Sequence, residues 1–165
     1  MKKYGYSILL IALSFIICSY APQAKEGDTV KPEQEGVITK EIQHVMDQMI
    51  SGINNFNADL VFKNIDQLNF AGFINEGTIL NYISAYSAIK DFYSQIKNVQ
   101  NEISEKNYVV LSGNSALFSC KFKEEITFLN NEVGNFEGAM SCVLIKTNDE
   151  WKVIQIHQSV VQGNN

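Results

Sequence analysis

Two hydrophobic periods divide the chain. In the first, Ile38, Ile42, Val45, Met46, Met49, Ile50 and Ile53 recur at helical spacing and form one apolar stripe. Thr39 is the expected cap at its start, and Gly52 with Asn54 and Asn55 marks its end. A short second helix is predicted from Asn57, a good N-cap, through Leu60, Val61 and Ile65. Residues 68 to 80 read as one or two short strands around Glu76 and Gly77. A third helix is predicted over about 84 to 97, burying Ala88, Ile89, Phe92, Tyr93 and Ile96. From Val99 the period switches to two, which predicts four strands, at about 99 to 111, 115 to 128, 133 to 147 and 150 to 161. Gly113-Asn114, Asn130-Asn131 and Asn148-Asp149 supply the turns between them. Helices first and a long antiparallel meander afterwards predict an α+β fold, with three helices on one face of a curved sheet.

Turns centred near 131 and 148.5 assign the strand faces. They set Cys120 opposite Cys142, Cys142 opposite Gln155, and Met140 opposite His157. One face then holds Phe118, Cys120, Phe122, Met140, Cys142, Leu144, Val153, Gln155 and His157. That face is apolar with a few polar groups inside it, the profile of a concave ligand pocket. The opposite face mixes Lys and Ser with Val143, Ile145, Ile154 and Ile156, as expected where a sheet is partly solvated and partly paired with a second copy. A slip of one residue in any turn exchanges the two roles.

The N-terminus has a different character. Lys2 and Lys3 precede an uncharged apolar run over 7 to 17, of signal-peptide length and too short for a stable bilayer anchor. Cys18 ends the run, where a lipoprotein signal carries its lipidated residue, although Ile17 replaces the usual small neighbour. Cleavage after Ala21 or Ala24 is the alternative, and Pro22 disfavours both sites. Residues 1 to 18 are read as a signal segment with lipid on Cys18, residues 19 to 36 as a flexible tether, and residues 37 to 162 as the folded domain. The expected location is the cell envelope or periplasm, with membrane contact through the lipid anchor only.

Composition narrows the partners. All 13 basic residues are Lys, there is no Arg, and the formal charge is -5. Arg is the preferred fork for phosphates and base edges, so nucleic acid is not an expected partner. No phosphate loop, nucleophile elbow or metal-ligand spacing is present, and no cofactor or metal is expected.

The final strand is the most distinctive stretch. Trp151 opens it, His157 follows six residues later, and Ser159 lies two beyond. This arrangement resembles the last strand of SnoaL-like domains, in the nuclear transport factor 2-like superfamily, and the element order over about 38 to 161 agrees with it. The resemblance implies a nuclear transport factor 2-like (cystatin-like) cone. It also implies an Asp or Glu inside the cone where a member is an acid-base isomerase or cyclase. The pocket-facing run offers only Glu124, near the end of its strand, while Asp66 and Asp91 lie elsewhere, so no catalytic carboxylate is assigned. His157 is the candidate acid, base or hydrogen-bond donor, and a His satisfied within the core is the competing reading. His44 falls on the polar side of the first helix. Cys120 and Cys142 are read as two small buried hydrophobes in preference to a disulfide.

Three functions remain distinct at this level. One is a non-enzymatic binder of a small, mostly apolar ligand held by Phe118, Cys120, Phe122, Met140, Cys142, Gln155 and His157. The second is a small isomerase, hydratase or cyclase using His157. The third is an assembly module, with a homodimer formed through the sheet. The shortage of pocket carboxylates favours the first.

Overall fold

The computed structural model of the protein describes residues 30 to 162. The signal segment, Cys18 and most of the tether lie outside the described residues. The elements are α1 (Pro32–Asn54), α2 (Ala58–Phe62), β1 (Gly72–Asn75), β2 (Thr78–Leu80), α3 (Tyr82–Tyr93), β3 (Ile96–Ser112), β4 (Ser115–Phe128), β5 (Val133–Thr147) and β6 (Glu150–Gln162). The sheet order is β2-β1-β6-β5-β4-β3, antiparallel throughout except where β1 runs parallel to β6.

Helix α1 begins within the segment read as a tether. Lys31 is extended at the cap, Pro32 occupies the first turn, and Glu33 and Glu35 complement the positive end of the helix dipole. Thr39 is therefore interior and not a cap; its hydroxyl donates to the Glu35 carbonyl at 2.8 Å. The stripe buries Ile38, Ile42, Val45, Met46 and Met49 as the periodicity requires. Gly52 lets α2 cross closely, since a Cβ there would stand 2.8 Å from the Val61 nitrogen. Asn57 caps α2 and Asn81 caps α3, accepting from Leu60 N and Ser84 N at 2.9 Å each. Helix α3 starts and stops earlier than its pattern predicts. It buries only Ala85 completely, leaves Ala88 exposed, and passes Ile96 to the start of β3.

The long strands fall where the alternation puts them, but two registers differ from expectation. Between β4 and β5 the pairing is Cys120 with Met140 and Phe118 with Cys142, two residues from the expected register. An even shift keeps every side chain on its face, so Phe118, Cys120, Phe122, Cys142 and Leu144 are all buried inward. Both cysteines are free thiols. Between β5 and β6, Leu144 pairs with Val153 as expected, and then a bulge intervenes: Val143 pairs with Gln155, leaving Ile154 unmatched. The Ile154 carbonyl accepts instead from Ala71 N at 2.6 Å, where the chain enters β1. Beyond the bulge every residue of β6 changes face. Ile156 turns into the core at 7% exposure, and His157 turns out.

The core lies between α1 and the inward sheet face. Ile42, Met46, Phe118, Leu144 and Val153 have no exposed surface. Full burial of each such side chain stabilises the fold by about 1.5–3 kcal/mol relative to leaving it in water. Gly138 lets the Phe122 ring lie on the strand, since a Cβ would come within 2.6 Å of its Cζ.

Candidate functional site

Where the α1 stripe ends, the core does not close. A cavity of about 130 Å3 opens between Met49 and Ile53 of α1, Val61 and Phe62 of α2, the face of α3, and the inward residues Ile126, Met140 and Ile156 of the sheet. Aromatic rings close much of the wall. Phe56 and Tyr93 lie 6.1 Å apart between centroids, and Phe92 meets Phe128 at 6.3 Å. These rings and their aliphatic neighbours wall an apolar void without filling it.

Three lining residues are polar: Tyr93, Glu124 and Gln158. Glu124 faces inward because alternation in β4 sends Phe122 and Ile126 the same way, while Lys123 faces out and pairs with Glu137 at 3.0 Å. Removal from water holds the Glu124 carboxyl above the ordinary glutamate range. None of the ion pairs among the described residues involves it. The Tyr93 hydroxyl is pushed up by burial and then by the neighbouring Glu124 charge, so it stays a protonated donor. Across the strand pair, Glu124 stands opposite Asn101, whose Nδ2 donates to Asn54 Oδ1 at 3.2 Å. The Oδ1 of Asn101 is buried without a donor, and so is that of Asn75, which stands opposite Gln158.

Of the residues expected to line the pocket, Met140 alone borders this cavity. Phe118, Cys120, Phe122 and Cys142 pack in the solid core, and burial raises both thiols above their ordinary range, so neither is a reactive thiolate. Gln155 and His157 are corrected outright, since the bulge at Ile154 directs them to the outer face. His157 is exposed in a shallow groove with Ser119, Ser141 and Ser159. Gln158 lines the cavity in its place. His44 is exposed on α1 and contacts Gln48 at 3.0 Å. Asp66 organises the loop before β1, accepting from Leu68 N, Asn69 N and Asn69 Nδ2. No group of three or more metal-ligating side chains exists among the described residues.

Sequence reasoning passed over Tyr93 and Gln158 and gave Glu124 no role. The inward parity of Glu124 was visible in β4. That Tyr93 and the other rings line the same cavity as Glu124 was not, because they come from elements far apart in sequence.

A family model for the SnoaL-like domain matches residues 42–163, and the chain belongs to that family. No curated protein matches the sequence. Among solved structures, a candidate scytalone dehydratase of Novosphingobium aromaticivorans superposes with a TM-score of 0.71 at 8% identity, covering 80% of this chain and 89% of that one. A candidate dehydratase of the nuclear transport factor 2-like family from Streptomyces avermitilis gives 0.67 at 11% identity, over 78% and 99% of the two chains. A candidate calcium/calmodulin dependent protein kinase II association domain from Xanthomonas campestris gives 0.62 at 14%, over 74% and 86%. At these identities the likeness establishes the nuclear transport factor 2-like fold and leaves the chemistry to the site.

Proposed function

We propose that the protein is an exported SnoaL-like binder that takes a small, mostly apolar molecule into its cone and does not transform it. The observation that carries this reading is the cavity of about 130 Å3, walled by apolar and aromatic side chains with three polar members at its border. A dry apolar cavity of roughly 150 Å3 accommodates benzene, which sets the size of the body that fits. Titration with benzene or toluene, followed on the methyl signals of Met49 and Met140, tests it. Saturable shifts are expected at both; unmoved signals at millimolar ligand would overturn the reading.

A second reading is favoured by Glu124. A desolvated carboxyl beside a tyrosine hydroxyl is the kind of group that serves acid-base chemistry, and two of the structural neighbours carry dehydratase in their descriptions. An isomerase or dehydratase of this chain would work through Glu124 and Tyr93, not His157. Turnover of a small enolisable or dehydratable substrate, abolished by Glu124→Gln, would decide for it over simple binding.

Two further elements complete the proposal. Cys18 carries lipid and holds the domain at a membrane, so Cys18→Ala releases the protein into the soluble fraction. The domain pairs with a second copy through the outer sheet face. Half-buried Leu117, Val143 and Ile145 support this pairing, while Ile156 is withdrawn into the core. Light scattering at tens of micromolar distinguishes dimer from monomer.

A further inference from the structure

We infer that the cone takes a small organic ammonium ion: a protonated primary or secondary amine on a body of about one six-membered ring. This deepens the binding reading above and rests on it. Four observations at and beside the cavity converge.

The first is the sign of the site. Glu124 is the ionisable carboxyl in the lining, and among the described residues that line the cavity there is no Lys or His. The chain has no Arg to supply one. An anionic ligand would therefore meet a carboxyl and find no counter-charge.

The second is the state of that carboxyl. The lysines on its own strand are engaged elsewhere, Lys123 with Glu137 at 3.0 Å and Lys121 with Glu105 at 2.7 Å. A carboxyl drawn from water without a partner is costly to ionise, and a ligand cation is what would make its charged form favourable.

The third is the kind of hydrogen-bonding capacity left over. Asn101 commits its Nδ2 to Asn54, and its buried Oδ1, across the strand pair from Glu124, has no donor. The Oδ1 of Asn75, across from Gln158, is in the same state. Both orphaned atoms are acceptors; they flank the cavity through Glu124 and Gln158 and do not line it, and the donors of the lining itself are the Tyr93 hydroxyl and the Gln158 amide. An ammonium brings up to three, a hydroxyl one, and a carboxylate or ketone none.

The fourth is the wall. Phe56, Phe62, Phe70, Phe73, Phe92 and Tyr93 all line the cavity. Aromatic faces attract a desolvated cation through the ring quadrupole, and more strongly away from water. The formal charge of -5 also favours arrival of a cation over an anion.

Four probes of nearly one shape separate the contributions: benzylamine, benzyl alcohol, benzoate and toluene. They are titrated into the purified protein at neutral pH and followed on the Met49 and Met140 methyl signals. Benzylamine is expected to bind at least about tenfold tighter than benzyl alcohol, with benzoate the weakest. In Glu124→Gln the amine preference is expected to collapse to within about twofold of the alcohol. If toluene saturates but benzylamine binds no better than benzyl alcohol, the ammonium assignment is wrong and the apolar cone stands. Tightest binding by benzoate overturns the assignment too. If none of the four binds, the binding reading falls with it. Should Glu124→Gln fail to fold, the order of the four probes on the unaltered protein decides alone.

Discussion

The two ends of the cone are built from the same sheet and the same helix, yet one is sealed and the other is not. At the sealed end, Trp151 Nε1 and Lys146 Nζ both donate to Glu41 Oε2, at 2.7 and 2.9 Å, and the ammonium lies 5.9 Å from the indole centroid. These contacts pin α1 to the β5–β6 hairpin over aliphatic side chains with no exposed surface. At the open end α3 buries Ala85 alone, and Phe92 remains 37% exposed. Edge-on rings meet there: Phe62 approaches both Tyr82 and Tyr86 at 5.3 Å and nearly perpendicular. Stability is concentrated where aliphatic groups interdigitate and a charge is shared. Space for a ligand is left at the other end, inside a wall of rings and aliphatic groups.

The contrast breaks most readily through its largest contact. Trp151→Ala is expected to cost about 3–5 kcal/mol in denaturant unfolding, because it removes a buried ring and the donor to Glu41 together. Next come two methionines of one chemistry in different settings. Met46→Ala, at 0% exposure, is expected to cost about 2–5 kcal/mol. Met140→Ala is expected to cost less, since the side chain already borders a void, and to admit a bulkier probe. Equal losses for the two would show that the open end is packed as tightly as the sealed one. Gly138→Ala is expected to lose about 1–3 kcal/mol by driving a methyl against Phe122 and the facing strand.

The smallest effects are electrostatic and opposite in sign. Lys146 and then Trp151 hold the Glu41 carboxyl below its ordinary range. Its stabilisation is present above the unfolded glutamate pKa and is lost as pH falls through the lowered folded value. Because Glu41 is 40% exposed, Glu41→Gln is expected to cost only about 0.5–1 kcal/mol at neutral pH, and nothing at low pH. Glu124 runs the other way, its pKa raised by desolvation. Its penalty is absent below the ordinary glutamate range and complete above the raised folded value, so Glu124→Gln is expected to raise the melting temperature slightly at neutral pH only. A lower melting temperature for that variant at neutral pH would mean that a partner satisfies the carboxylate.

Much of this architecture was legible because it is written in short-range patterns. The α1 stripe, the cap at Asn57, and the left-handed pair Asn148 and Asp149 (φ 52° and 64°) are local consequences of side-chain shape and hydrogen bonding. The β4 and β5 boundaries coincide with the alternation. The site was less legible. Face assignment on β6 depended on an unbroken period of two, and Ile154 broke it: apolar residues at 151, 153 and 156 fit either one bulged strand or two mixed faces. His157 was assigned to the pocket on that continuity and lost with it.

Sequence alone determined the class of fold, the succession of elements, the acidic Lys-only character and the inward parity of Glu124. Those follow from backbone preferences and solvent partition acting over a few residues. Tertiary structure decided that Ile154 bulges where β1 enters the sheet, that His157 faces out, and that six rings from α2, α3, β1 and the connecting loops line one cavity with a desolvated carboxyl. Such outcomes depend on which distant segments compete for the same strand edge and the same volume, and no short window of residues contains both competitors.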